Sequence, residues 1–109
     1  MRAQFEITPQ ELAELLKSGQ PVCLADVREI DEFDICRIQG SRIFPLSQFQ
    51  DIAQDIPKDA PVITICHHGV RSLNAAAYLR QEHGHTNVRS LAGGIDRWSR
   101  EIDPKVPRY

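Results

Sequence analysis

The run Cys66-His67-His68-Gly69-Val70-Arg71-Ser72 is the part of this chain best equipped to do chemistry. A thiol stands at its head and an arginine near its end, with two imidazoles between them. Val62-Ile63-Thr64-Ile65 before it is β-branched, and the composition from Val70 to about His83 is helical, so the run is a strand-to-helix turn. Such a turn points backbone N–H groups inward and brings the positive end of a helix dipole to bear. Gly69 permits the unusual backbone a cradle needs. Arg71 is a fixed cation, and the histidines can add charge. These features favour a thiolate, because cysteines at helix N-termini beside cations titrate below the ordinary value of about 8.5. Cys66 is the predicted nucleophile, with His67, His68, Gly69, Val70, Arg71 and Ser72 forming the predicted anion pocket. The plainer alternative makes Cys66 a small buried hydrophobe and Gly69 only a turn.

The remaining reactive residues suggest less. Asp26 and Arg28 follow the apolar run Val22-Cys23-Leu24-Ala25, and are expected to form an ion pair that supports the site loops rather than to contact substrate. Cys23, Cys36 and Cys66 are three cysteines without a C-x-x-C pair, which disfavours a disulfide framework or a structural zinc site. Cys36 is expected to be a packing residue, with a second thiol near the site as the alternative. His83 and His85 are expected at the surface, and neither a metal nor an organic cofactor is anticipated. The acidic stretch Glu29 to Asp34 reads as a solvated face.

These residues need a scaffold. Thr8-Pro9-Gln10-Glu11 reads as a capping box with proline at the first helical position, followed by Leu12, Leu15 and Leu16 on one face and Gly19 as the stop. Residues 29–36 form a short helix or turn, Arg42-Ile43-Phe44 a short strand, and Ser47 caps a helix with Phe49, Ile52, Ala53 and Ile56 inward. The helix after Gly69 puts Leu73, Ala76 and Ala77 on one face and stops at Gly84. Val88-Arg89-Ser90-Leu91 is a strand, Gly93-Gly94 a turn, and Ile95 to Arg100 a last helix with Trp98 as its core anchor. Phe5-Glu6-Ile7 can add an edge strand. Strands alternating with helices over short connections imply a parallel sheet covered on both faces, with ligands at the strands' carboxyl ends.

Composition narrows the class. The 109 residues suit one domain, 1–109, and 41% hydrophobic residues suit a folded one. Thirteen basic and fifteen acidic residues give a net charge of −2, which argues against a nucleic-acid partner. No apolar run approaches the roughly 20 residues that span a bilayer, and the first six residues lack the apolar stretch of a signal peptide. No membrane association is expected, and the cytoplasm is the default location.

Three segments together resemble one family. Cys66-His67-His68-Gly69-Val70-Arg71-Ser72 is similar to the active-site loop of the rhodaneses, C-x-x-G-x-R-S. Asp26-Val27-Arg28-Glu29, then Glu32-Phe33, Ile38-Gln39-Gly40-Ser41 and Pro45-Leu46, resembles the family's first signature. Leu91-Ala92-Gly93-Gly94 with Trp98 resembles its closing motif. The likeness runs in order over about residues 4 to 100, with one departure at Cys36-Arg37, where the family usually has Gly-His. It implies an α/β, three-layer rhodanese-like domain whose central five-stranded, mainly parallel sheet carries helices on both faces.

The resemblance also implies sulfur transfer through a Cys66 persulfide, from a donor such as thiosulfate to cyanide or a thiol. Loop length separates this from phosphate chemistry. Four residues lie between Cys66 and Arg71, whereas cysteine phosphatases, including the rhodanese-like cell-cycle phosphatases, have five. The shorter loop suits the single outer sulfur of a persulfide rather than a phosphoryl group. Expected partners are a small sulfur-containing anion or a persulfide donor and a thiol or protein acceptor, the protein being a monomer or weak homodimer. The His67-His68 pair resembles rhodanese domains appended to sulfur-carrier-activating enzymes, a hint at a protein acceptor. The alternatives are a non-catalytic rhodanese-like binding module and, less favoured, a cysteine phosphatase or arsenate reductase.

Overall fold

The computed structural model describes residues 5–109. Residues 1–4, which begin the stretch read for a signal peptide, lie outside it. Five strands, β1 (Glu6–Ile7), β2 (Cys23–Asp26), β3 (Arg42–Ile43), β4 (Val62–Ile65) and β5 (Val88–Leu91), form one sheet in the order β1-β5-β4-β2-β3. All the pairings among them are parallel. The helices are α1 (Pro9–Lys17), α2 (Ile30–Ile35), α3 (Phe49–Ile52), α4 (Val70–His83) and α5 (Gly94–Glu101). No helix among the described residues is long and apolar enough to cross a membrane.

Strand alternation divides the core into two layers. Leu24, Ile63, Ile65 and Leu91 pack with Leu12 of α1 and with Ile95 and Trp98 of α5. Cys23, Ala25, Val62 and Val88 pack with Phe49 of α3 and with Ala75, Ala76 and Leu79 of α4. Cys66 follows the phase of Val62 and so belongs to the α4 layer.

The α1 capping box forms as predicted: the Glu11 N–H donates to Thr8 Oγ1 at 3.1 Å, and the Thr8 N–H to Glu11 Oε1 at 2.9 Å. Three local expectations change. Leu16 is exposed, so the buried stripe of α1 is narrower than its leucines suggest. Ser47 caps no helix; its hydroxyl donates to Glu29 Oε1 at 2.6 Å, and residues 46–55 close as a 3₁₀ turn, α3 and a second 3₁₀ turn. The inward face of α4 is Ser72, Ala75, Ala76 and Leu79, leaving Ala77 exposed. Polar bonds set that rotation. Thr64 Oγ1 of β4 donates to the Ser72 carbonyl at 2.7 Å, and the Ser72 and Ser90 hydroxyls lie 2.7 Å apart.

His85, expected at the surface, is 5% exposed, and its Nε2 has no hydrogen-bond partner. Burial, followed by the charges of Lys58 and His83, pushes its imidazole below the ordinary value of 6.5. The unfolded chain therefore takes up this proton first as pH falls, and stability drops below about pH 6.5, by at most about 1.4 kcal/mol per pH unit for one such group. Urea midpoints measured between pH 7.5 and 5.5 should fall less steeply for His85→Asn than for the natural protein.

Candidate active site

Two helix N-termini meet at Cys66. The first is that of α4, whose N-cap is Gly69 at φ +102°. The Gly69 N–H lies 3.0 Å from Cys66 Sγ and donates to it. The Ser72 hydroxyl lies 3.3 Å from the same sulfur and is itself fixed by Ser90. A Cβ at Gly69 would sit 3.2 Å from the Gly93 nitrogen at a φ that side chains avoid, so glycine answers both crowding and backbone.

The second is that of α5. A loop that turns an N–H toward its sulfur turns carbonyls away, and buried carbonyls need donors. The Ile95 N–H donates to the Cys66 carbonyl at 2.8 Å, and the Asp96 N–H to the His67 carbonyl at 3.1 Å. The approach is so close that any Cβ at Gly94, whose φ is +65°, would collide with those two carbonyl oxygens.

Around this pair of helix ends runs a chain of charges. Arg28 and Asp26 are fully buried and paired, with Nη2 2.7 Å and Nε 2.9 Å from the carboxylate. Arg28 also donates to the Cys36 carbonyl at 2.6 Å and to the Tyr109 hydroxyl at 2.9 Å. Burial opposes its charge, but the hydrogen bonds to Asp26 and Tyr109 prevail and keep it cationic. Arg71 does not reach the sulfur by a hydrogen bond. It grips Glu32 of α2 through two bonds, at 2.7 and 2.9 Å. Those bonds hold the Glu32 carboxyl down at about 2, against burial, which raises it. The expectation that Glu29 to Asp34 is a solvated face thus fails at Glu32, because the loop arginine needs a counter-ion.

The two imidazoles are stacked. His67 and His68 have ring centroids 4.0 Å apart, and the Tyr109 ring covers His67 at 3.9 Å with planes 8° apart. Burial first, then His68, pushes the His67 imidazole below its ordinary value, against the opposing pull of Asp96, Glu32 and the Tyr109 backbone. Burial thus works against the charge that the sequence allows His67 to add. His67, His68 and Asp96 are the described residues that could jointly offer metal ligands, their ligand atoms lying within 4.8 Å of one another. The arrangement fits an ion poorly. An ion lies in the plane of each imidazole that binds it, whereas these rings are stacked, and Asp96 already pairs with Arg100 and Arg108.

The structure thus gathers Cys66, Gly69 and Ser72 around one sulfur, commits Arg71 to Glu32, and leaves Val70 at the rim, 70% exposed. Cys36 is buried with its sulfur 3.9 Å from Arg28, and the three cysteines form no disulfide. A groove of about 390 Å³ opens elsewhere, beside Leu46, Phe49 and Tyr78, and does not include Cys66. Sequence reasoning missed three contributors: Glu32, Ser90 and Tyr109. The bare cation of Arg71 was a signal for Glu32. Tyr109 lies 81 residues from Arg28 and carries no local signal.

Strand order, cradle and closing turn define a rhodanese-type α/β domain, and residues 8–101 match the family described as the rhodanese-like domain. The chain belongs to that family. Among its relatives is the thiosulfate sulfurtransferase GlpE of Actinobacillus succinogenes, 35% identical over 104 residues, covering 95% of this chain and 92% of that protein. The probable adenylyltransferase/sulfurtransferase MoeZ of Mycobacterium tuberculosis is 35% identical over 106 residues, but this chain spans only about a quarter of that protein's length, 26%. A rhodanese-related protein from Thermoplasma volcanium superposes with a TM-score of 0.82 at 30% identity, over 96% of this chain and 99% of that one.

Two outcomes test this geometry. Gly94→Ala should destabilise the domain by more than the roughly 1–2 kcal/mol of a left-handed alanine, because the colliding atoms are backbone, and urea denaturation checks it. Glu32→Gln should cost about 1 kcal/mol at pH 7, where the half-exposed pair with Arg71 is intact. In the natural protein that contribution is present above about pH 4.5 and lost as pH falls toward 2, so the acid limb of a stability–pH curve should be shallower for the variant.

Proposed function

We propose that this protein is a sulfurtransferase that carries sulfane sulfur on Cys66. The observation that carries the reading is the sulfur's setting: Cys66 Sγ lies 3.0 Å from the Gly69 N–H and 3.3 Å from the Ser72 hydroxyl, at the N-terminus of the 14-residue helix α4. The name of the GlpE relatives, thiosulfate sulfurtransferases, supports it.

The reaction is a double displacement. The Cys66 thiolate attacks the outer sulfur of a donor such as thiosulfate. A new S–S bond forms to Cys66, the old one breaks, and sulfite departs with the electron pair. Cys66 is left as an anionic persulfide. An acceptor, either cyanide or a thiol of a small molecule or protein, then attacks the outer sulfur and returns Cys66 as thiolate. Leaving-group acidity and access govern both steps, as in thiol–disulfide exchange.

Burial fits this scheme. Cys66 is 1% exposed, which suits a reactant that offers one terminal atom rather than a bulky group. Gly69 and Ser72 supply donors where negative sulfur sits, and a charged hydrogen bond in a dry site is stronger than a neutral one. Arg71 of α4, held by Glu32 of α2, braces the loop between β4 and α4. Asp26 and Arg28 support it from the end of β2.

Intact-protein mass spectrometry tests the reading. Incubation with thiosulfate, cysteine persulfide or polysulfide should add one sulfur atom to the natural protein and none to Cys66→Ser, and cyanide should remove it as thiocyanate. No gain from any donor overturns the reading in favour of a binding module. Cys66-dependent turnover of a phosphate ester overturns it in favour of a phosphatase.

A further inference from the structure

Tyr109 touches three residues of the site, Arg28, Glu32 and His67. Its hydroxyl accepts a hydrogen bond from Arg28 Nη1 at 2.9 Å and donates one to Glu32 Oε2 at 2.9 Å. Its ring lies flat on His67, the residue after Cys66, and the Arg28 guanidinium lies 5.6 Å from the same ring. The segment that delivers it is anchored. Val106 is buried against Ile95 and Trp98, its carbonyl accepts from the Ser99 hydroxyl, and Arg108 pairs with Asp96 at 3.0 Å.

Each contact has a mechanical consequence. The Glu32 carboxylate accepts from Arg71 on both oxygens, and the Tyr109 hydroxyl binds Oε2, which fixes the carboxylate plane that Arg71 must match. Burial pushes the Tyr109 phenol up to about 12, against the pull of Arg28, so its proton is present for that bond at neutral pH. The stacked ring limits His67 to one orientation. The His67 backbone is pinned separately by α5, through the Asp96 N–H. Fixed on two sides, the peptide between Cys66 and Gly69 has little freedom to rotate its donor away from the sulfur.

We propose that Tyr109 is a positioning residue for sulfur transfer, its ring holding His67 and its hydroxyl locking the Glu32–Arg71 pair that braces the Cys66 loop. The inference rests on the sulfurtransferase reading for its kinetic consequence, though not for its structural one. Tyr109 reaches the site from outside the matched family segment 8–101 and from outside the motifs.

Two variants of the full chain, Tyr109→Leu and Tyr109→Phe, separate ring from hydroxyl. The readouts are thiosulfate–cyanide kinetics, melting temperature, and the NMR titration of the His67 imidazole. The groups acting on that imidazole are His68 of its own loop, Glu32 of α2, Asp96 of α5 with its partners Arg100 and Arg108, and the Tyr109 backbone. Tyr109→Leu should lower kcat/KM about tenfold and move the His67 titration up toward its ordinary value as the covering ring is lost. Tyr109→Phe should leave that titration in place and lower kcat/KM only about threefold, the effect of one hydrogen bond. The proposal is overturned if Tyr109→Leu keeps kcat/KM within about twofold of the natural protein, an effect below that of one hydrogen bond, or leaves the His67 titration unmoved. It is also overturned if both variants lose the same activity in step with a lowered melting temperature, the signature of a stabilising tether. A natural protein that accepts sulfur from no donor defeats the sulfurtransferase reading instead, and the titration then decides the positioning of His67 by itself.

Discussion

The site depends on how a single loop divides its hydrogen-bonding groups. To present the Gly69 N–H to a sulfur, the chain from Cys66 to Gly69 must face its carbonyls away, into the protein. Carbonyls turned into the protein need donors there. The free N–H groups of α5's first turn take that role, at 2.8 Å to Cys66 and 3.1 Å to His67. The closing Gly93-Gly94 pair thus belongs to the candidate active site although neither residue touches the sulfur. One helix end supplies donors to the anion, and the other satisfies the carbonyls that this orientation leaves over.

A second constraint is electrostatic. Asp26, Arg28, Tyr109, Glu32 and Arg71 form a continuous line of alternating donors and acceptors. A fully buried ion pair such as Asp26–Arg28 adds little stability over well-packed apolar residues of similar volume. Its value lies in direction. Once Asp26 fixes the guanidinium, the other donors of Arg28 aim at Tyr109 and at the Cys36 carbonyl, tying the end of α2 and Tyr109 to the end of β2. The loop arginine is thereby held by a partner whose own position is determined.

Most of the scaffold was legible from sequence because its signals are local. The α1 capping box, the β-branched run of β4 and the Gly69-to-Gly84 span of α4 each depend on residues within one element. Failures occurred where distant partners overrode local pattern. Leucine and alanine spacing placed Ala77 on the inner face of α4, but the hydroxyls of Thr64 and Ser90 turn Ser72 inward instead. Ser47 looked like a cap and is occupied by Glu29. His85 has the composition of a surface residue and is covered by folding. Cys66 and its cradle were legible because donor and acceptor are three residues apart; the Glu32 clasp was not, because it closes over 39 residues.

The balance of charge bears on what the cradle can accept. Arg71 is paired with Glu32, Arg28 with Asp26 and Arg108 with Asp96, while burial disfavours charge on His67. On the proposed reading, a sulfur anion at Cys66 is met first by aligned dipoles, namely the Gly69 N–H, the Ser72 hydroxyl and the axis of α4, with Arg71 adding a longer-range charge already paired with Glu32. Dipoles fixed by the fold act at short range and over one atom. A phosphoryl group carries its charge on several oxygens and needs a ring of donors, whereas a persulfide concentrates it on one sulfur. An arrangement with one short N–H and one hydroxyl at the thiol, inside a loop with four residues between cysteine and arginine, matches the smaller demand.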